Sequence, residues 1–87
     1  MNETVAPVPK TKAEALRRIN TLLAGEAINR GVHLAAPLER QTNMPHWMFR
    51  ACHKEAIANG WPMANDHMVW TSGDTALKFL DQLDLPD

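Results

Sequence analysis

Thr42-Asn43-Met44-Pro45-His46-Trp47-Met48-Phe49-Arg50-Ala51-Cys52-His53-Lys54-Glu55-Ala56-Ile57-Ala58-Asn59-Gly60 is the stretch whose reading decides the fold. Pro45 suits the first position of a helix, where the N–H that proline lacks would have had no intrahelical partner. Asn59-Gly60 supplies a left-handed stop. A helix running from Pro45 to about Ala58 is therefore expected. At about 100° per residue it places Phe49, Cys52 and Ala56 on one side and Trp47, Arg50, Ala51 and Lys54 on the other. The first side is the expected core face, and the second is left to meet a partner.

Upstream, Thr11-Lys12-Ala13-Glu14 reads as a capping box, in which hydroxyl and carboxylate each satisfy an orphan backbone N–H. Leu16, Ile19, Leu22 and Leu23 follow at three- and four-residue spacing, with Arg17, Arg18 and Thr21 turned away, so a first helix packs on the core. Gly25 weakens that helix by about 1 kcal/mol relative to alanine. Continuation through Ile28 to a stop near Gly31 is expected. Residues 34–41 read as a short second helix with Pro37 in its first turn, and the polar turn before Pro45 separates it from the third. The opening ten residues, with prolines at positions 7 and 9, read as a flexible N-terminal arm.

Downstream, the period changes. Trp61-Pro62-Met63 and His67-Met68-Val69-Trp70-Thr71 flank Ala64-Asn65-Asp66, whose residues tolerate unusual backbone angles, and together they predict a small β-hairpin. Thr71-Ser72-Gly73-Asp74 then offers hydroxyl caps, and Ala76, Phe79, Leu80 and Leu83 form the apolar face of a final helix.

The 87 residues, 45% hydrophobic, make one small domain near the lower limit of what a single core stabilises, which favours a homodimer. A single cysteine, Cys52, rules out an intrachain disulfide. No apolar run approaches the roughly 20 residues needed to cross a bilayer, and the start Met1-Asn2-Glu3-Thr4-Val5 lacks the blocks of a signal peptide. A cytoplasmic protein is expected. The net charge of −1 conceals a division, since residues 1–64 hold eight basic against five acidic side chains and residues 65–87 one against five. One end can face phosphate while the other faces solvent or a basic partner.

The order helix, short helix, turn, helix, hairpin, helix resembles small winged helix-turn-helix DNA-binding domains of bacterial, phage or plasmid regulators. The resemblance covers nearly everything after Lys10. Leu38-Glu39-Arg40-Gln41-Thr42-Asn43-Met44-Pro45 is similar to that family's second helix and turn, and residues 61–71 to its wing. It implies a mainly α fold with a small β-hairpin, an N-terminal arm over 1–10 and a winged-helix domain over 11–87. It also implies a DNA-binding transcriptional regulator or accessory factor that reads the major groove of double-stranded DNA with the helix starting near Pro45. The Ala64-Asn65-Asp66 turn carries no Lys or Arg, so the helix rather than the wing is expected to make the contacts.

On that helix Arg50 can donate two hydrogen bonds to a guanine edge, Lys54 can reach phosphate, and His46 can read a base or a phosphate. Trp47 can pack on sugar or a thymine methyl, or serve as a protein-interface anchor. Arg40 can add a phosphate contact from the second helix, as can Arg17, Arg18 and Arg30 from their positions. The plainer reading of the stripe is a solvated face with Trp47 folded back on a neighbouring helix. His33, His46, Cys52, His53 and His67 lack paired spacing, and Cys52 lies on the buried side, so no metal site is expected. Nothing marks an oxyanion hole or a phosphate loop, and neither an enzyme nor a cofactor is predicted. The alternative function is a winged-helix protein-interaction module or small inhibitor, which the near-neutral charge favours.

Overall fold

The computed structural model describes residues 7–34, 36–41, 43–64 and 76–87. Among these residues the chain is all helical, with α1 (Lys12–Asn29), a single 3-10 turn (Leu38–Arg40), α2 (His46–Ala58) and α3 (Ala76–Gln82). α1 packs on α2 and on the 3-10 turn, and α3 packs on the 3-10 turn as well. One apolar core joins them all.

α1 starts as the capping box requires, with the Thr11 hydroxyl accepting the Glu14 N–H at 3.1 Å. The Glu14 carboxylate reaches one residue further back than expected and accepts the Lys10 N–H at 3.2 Å. Gly25 does not end the helix. Its buried face is Ala15, Ile19, Leu23 and Ala27, while Leu16 and Leu22 sit half-buried on the flanks.

α1 and α2 stop by the same device. Gly31 and Gly60 adopt φ of +71° and +67°. At α1, the Gly31 N–H donates to the Ile28 carbonyl at 3.1 Å and the Val32 N–H to the Ala27 carbonyl at 2.8 Å. At α2, Gly60 donates to Ile57 at 3.2 Å and Trp61 to Ala56 at 2.9 Å. Each pair of bonds satisfies carbonyls that the helix end would leave unpaired, and glycine reaches the left-handed region at no steric cost.

The short second helix shrinks to a 3-10 turn. Pro37 caps it with an extended ψ of 151° instead of entering it, and Gln41 is already extended again at φ −99°, ψ 135°. A residue before proline is disfavoured in the helical region, so Ala36 and Met44 fence the segment on both sides. The turn is anchored rather than elongated: the Leu38 N–H donates to Asn20 Oδ1 of α1 at 2.8 Å, and the Leu38 side chain is fully buried. Among the described residues no pair of α-helices flanks the turn before Pro45, as a helix-turn-helix requires.

The winged architecture is corrected for a second reason. Trp61-Pro62-Met63 does not form the first strand of a hairpin. Met63 makes one antiparallel bridge with Leu83, the Ala64 N–H donates to the Gln82 carbonyl at 2.7 Å, and the Asp84 N–H donates to the Pro62 carbonyl at 3.1 Å. The segment therefore spends its backbone groups on the chain after α3. Pro62 has no N–H to give a ladder, and Trp61 belongs to the end of α2. Among the described residues there is no strand, and the expected second arm, His67 to Thr71, lies outside them together with Asn65, Asp66 and the expected cap of the final helix. Ala76, Phe79 and Leu80 of the apolar face expected of α3 are buried on the helix, and Leu83, also buried, falls just past its end, in the bridge.

Pro7 to Lys10 leads into α1 with Pro9 fully buried, and the Pro7 carbonyl accepts a hydrogen bond from the Arg18 guanidinium. The Lys12 N–H donates to the Pro86 carbonyl at 2.8 Å, and Lys12 Nζ lies 3.7 Å from carboxylate oxygens of both Asp81 and Asp87. The two ends of the domain are thereby held together. No helix among the described residues is long and apolar enough to cross a membrane.

Gly25 is exposed, and a Cβ added there would meet nothing within 4 Å. Gly25→Ala is expected to stabilise the fold by about 0.5–1 kcal/mol. Gly60→Ala, at positive φ, is expected to cost about 1–2 kcal/mol. Urea midpoints of the two variants, at unchanged denaturant slope, should move in opposite directions.

Candidate functional site

Burial of Met48, Phe49, Cys52 and Ala56 fixes the rotation of α2 about its axis. Whatever lies opposite must face outward. His46, Arg50 and Lys54 are exposed there, and Trp47 and Ala51 are half-buried against α1. Arg30 near the end of α1 meets Trp47 at the start of α2, so α2 runs back along α1. Between the two lies an open groove of about 760 Å3.

Four of the five expected site residues, His46, Trp47, Arg50 and Lys54, line this one groove. Arg40 does not; it is exposed on the 3-10 turn. From α1 come Leu22, Glu26 and Arg30. The Arg30 guanidinium stands 4.9 Å from the centre of the Trp47 ring, and its Nε lies 3.5 Å from Glu26 Oε1. Trp47 is thus neither a free anchor nor core: it is half-buried against the core and carries a cation over its ring. A contact of this kind contributes about 0.5–1 kcal/mol when exposed, and the Glu26–Arg30 pair, four residues apart, about 0.3–0.5 kcal/mol more.

The other cations go elsewhere. Lys12 is engaged by Asp81 and Asp87, and Arg18 lies 5.1 Å from the centre of the Trp61 ring. Arg17 and Arg18 border a separate hollow with Glu14 and Glu55. Only Arg30, Arg50 and Lys54 among the eight basic residues before position 65 line the α1–α2 groove, and Glu26 and Glu55 line it with them. His53, also at the groove, has its pKa lowered by partial burial and then by the positive charge of Arg50, which favours the neutral ring. The positive character of this face therefore rests on Arg50 and Lys54.

The sequence pattern missed Leu22 as groove lining and Glu26 altogether. The four-residue spacing of Glu26 and Arg30 was a readable signal of a helix-surface pair. The seventeen-residue separation of Arg30 and Trp47 carries no such signal.

Cys52 is fully buried, and its thiol pKa is pushed from 9.0 up to about 12 by burial and, secondarily, by the charge of Glu55. It is held as a thiol, the form that neither ligates a metal well nor attacks an electrophile. Among the described residues no three His, Cys, Asp or Glu side chains are grouped to hold a metal ion. No protein-family model, curated protein or solved structure matches the chain, and the chemistry of the groove is what a functional reading has to work from.

Burial and the raised pKa make Cys52 unreactive in the native fold. Alkylation by iodoacetamide at pH 8 is expected to be slower by at least about a hundredfold than in 6 M urea. Because the folded pKa is raised, the stability that Cys52 contributes is complete below pH 9.0 and is lost as the pH climbs towards about 12. The unfolding free energy of Cys52→Ala should fall less steeply over that window.

Proposed function

We propose that the groove between α1 and α2 is a docking surface for another protein, and that the chain is a small helical interaction module. One observation carries this reading. The groove sets Leu22, Trp47, Ala51 and an Ile57 that is 66% exposed among side chains of both signs, with Glu26 and Glu55 beside Arg30, Arg50 and Lys54. Apolar ground that includes tryptophan and arginine is the composition of protein-interface hot spots. Duplex DNA is held by neutralising several phosphates at once. Five of the eight cations before position 65 lie off this groove, and two carboxylates stand in it.

A second reading, a DNA-binding transcriptional regulator or accessory factor that lays α2 in a major groove, is favoured by Arg50 and Lys54. Both are exposed, one helical turn apart, and neither has an ion pair with a described residue. A homodimer would have exposed Ile28 and Leu77 outside the groove at its disposal. A cytoplasmic location accords with a lone buried thiol.

Affinity capture with the wild-type chain is expected to retain a protein partner in stoichiometric amount, and Trp47→Ala to lose it. The same chain at 50 mM salt should show no anisotropy change with a 24-base-pair duplex. DNA binding that weakens steeply with salt, falls for all sequences in Lys54→Ala and loses sequence preference in Arg50→Ala would decide for the second reading. Sedimentation velocity reads the oligomeric state independently.

A further inference from the structure

We propose that the segment the groove receives is an acidic amphipathic helix of the partner protein, an inference that rests on the docking reading above. Two helices lying side by side with an open groove between them offer the surface into which a third helix packs, its apolar residues at i, i+3, i+4 and i+7 entering as anchors. The small side chains of Ala51 and Ala58 line the groove, which lets an incoming backbone approach α2 closely. Ile57 and Leu22 supply apolar contact.

The wall at the start of α2 is already set. Trp47 lies against the core with Arg30 over its ring, and Arg30 pairs with Glu26. An ordered wall saves the entropy that a free tryptophan and a free arginine would lose on binding. That same arrangement also settles the charge the groove presents. Glu26 answers Arg30, and Glu55, half-buried, faces both this groove and the neighbouring hollow. Arg50 and Lys54 are left on the exposed edge with no described carboxylate paired to them.

Four residues of α-helix separate these two cations, a rise of about 6 Å. Carboxylates spaced three or four residues apart on a second helix repeat at the same interval. A partner helix that buries its apolar face in the groove and carries two such carboxylates along the α2 side matches both features together. A basic helix would place like charges against Arg50 and Lys54.

The test is a selection. The full chain is used as bait for a displayed library of 18-residue peptides with leucine fixed at i, i+3, i+4 and i+7 and Glu, Lys, Gln or Ser varied at the remaining positions. The wild-type chain is expected to enrich Glu beside the leucines. The double charge reversal Arg50→Glu, Lys54→Glu is expected to enrich Lys there instead. Both residues are exposed, and an unchanged melting temperature confirms that the variant folds. The best wild-type peptide should bind at least about tenfold more weakly to Lys54→Gln and to wild type in 0.5 M salt. Enrichment indifferent to charge, or the same acidic bias on the reversed bait, overturns the acidic helix while leaving a docking groove. Failure of the wild-type chain to enrich any peptide overturns the docking reading beneath it. Displacement of the peptide by submicromolar duplex DNA hands the edge to phosphate and overturns both.

Discussion

Phe49 meets Phe79 edge to face, ring centres 6.4 Å apart and planes at 88°, and the described helices all depend on the core to which this pair belongs. Helices shorter than about 12–15 residues are marginal alone. α3 has 7 residues and α2 has 13. Their stability comes from burying Phe79 and Leu80 of α3 and Met48, Phe49, Cys52 and Ala56 of α2 in one shared core, α2 against α1 and α3 against the 3-10 turn. The constraint propagates outward. Once four residues of a thirteen-residue helix are committed to the interior, the rotation of that helix is fixed and so is its opposite face. The positions of Arg50 and Lys54 are consequences of core packing.

The alanines set how closely the layers lie. Ala15, Ala27, Ala56 and Ala76 are all buried, in company with Ile19, Leu23, Phe49 and Phe79. Large against small is how a core this limited reaches native density. The cost of that economy is an edge that must be closed by other means. The chain closes it by tying its ends, with Lys12 bonded to Pro86 through the backbone and flanked by Asp81 and Asp87 through its ammonium group. The bridge from Met63 to Leu83 completes the seal. Ion pairs as exposed as these contribute little individually, so the backbone bonds and the burial of Leu83 do most of the holding.

Local chemistry was legible in the sequence and partner choice was not. Thr11 with Glu14, Gly31 and Gly60 each act within a few residues; the glycines stop their helices and Thr11 caps α1, while the Glu14 carboxylate takes the Lys10 N–H in place of that of Thr11. The inward face of α2 was readable from the spacing of Phe49, Cys52 and Ala56 alone. Pro37 was ambiguous because proline serves both just inside and just before a helix, and the deciding contact, Asn20 to the Leu38 N–H, comes from eighteen residues away. The segment Trp61-Pro62-Met63 reads as a strand, and Met63 does pair through its backbone. Its partner is Leu83, which no period or turn residue in the sequence singles out. The same limit applies to the groove: its α2 side was readable as a stripe, whereas the α1 side depends on Arg30 crossing to Trp47.

Charge geometry then decides what charge total cannot. A surplus of three positive charges before position 65 would suit a polyanion if it were gathered on one face. Folding scatters it instead, and three of the cations are drawn to other groups: Lys12 to carboxylates, Arg18 to an indole ring, Arg30 to both a carboxylate and an indole. The cations with no such neighbour among the described side chains of the groove are Arg50 and Lys54, on the one helix face that the core requirement turns outward. Two charges a helical turn apart beside an apolar groove match a short pair of carboxylates better than a long phosphate backbone, whose hold grows with every further cation laid along it.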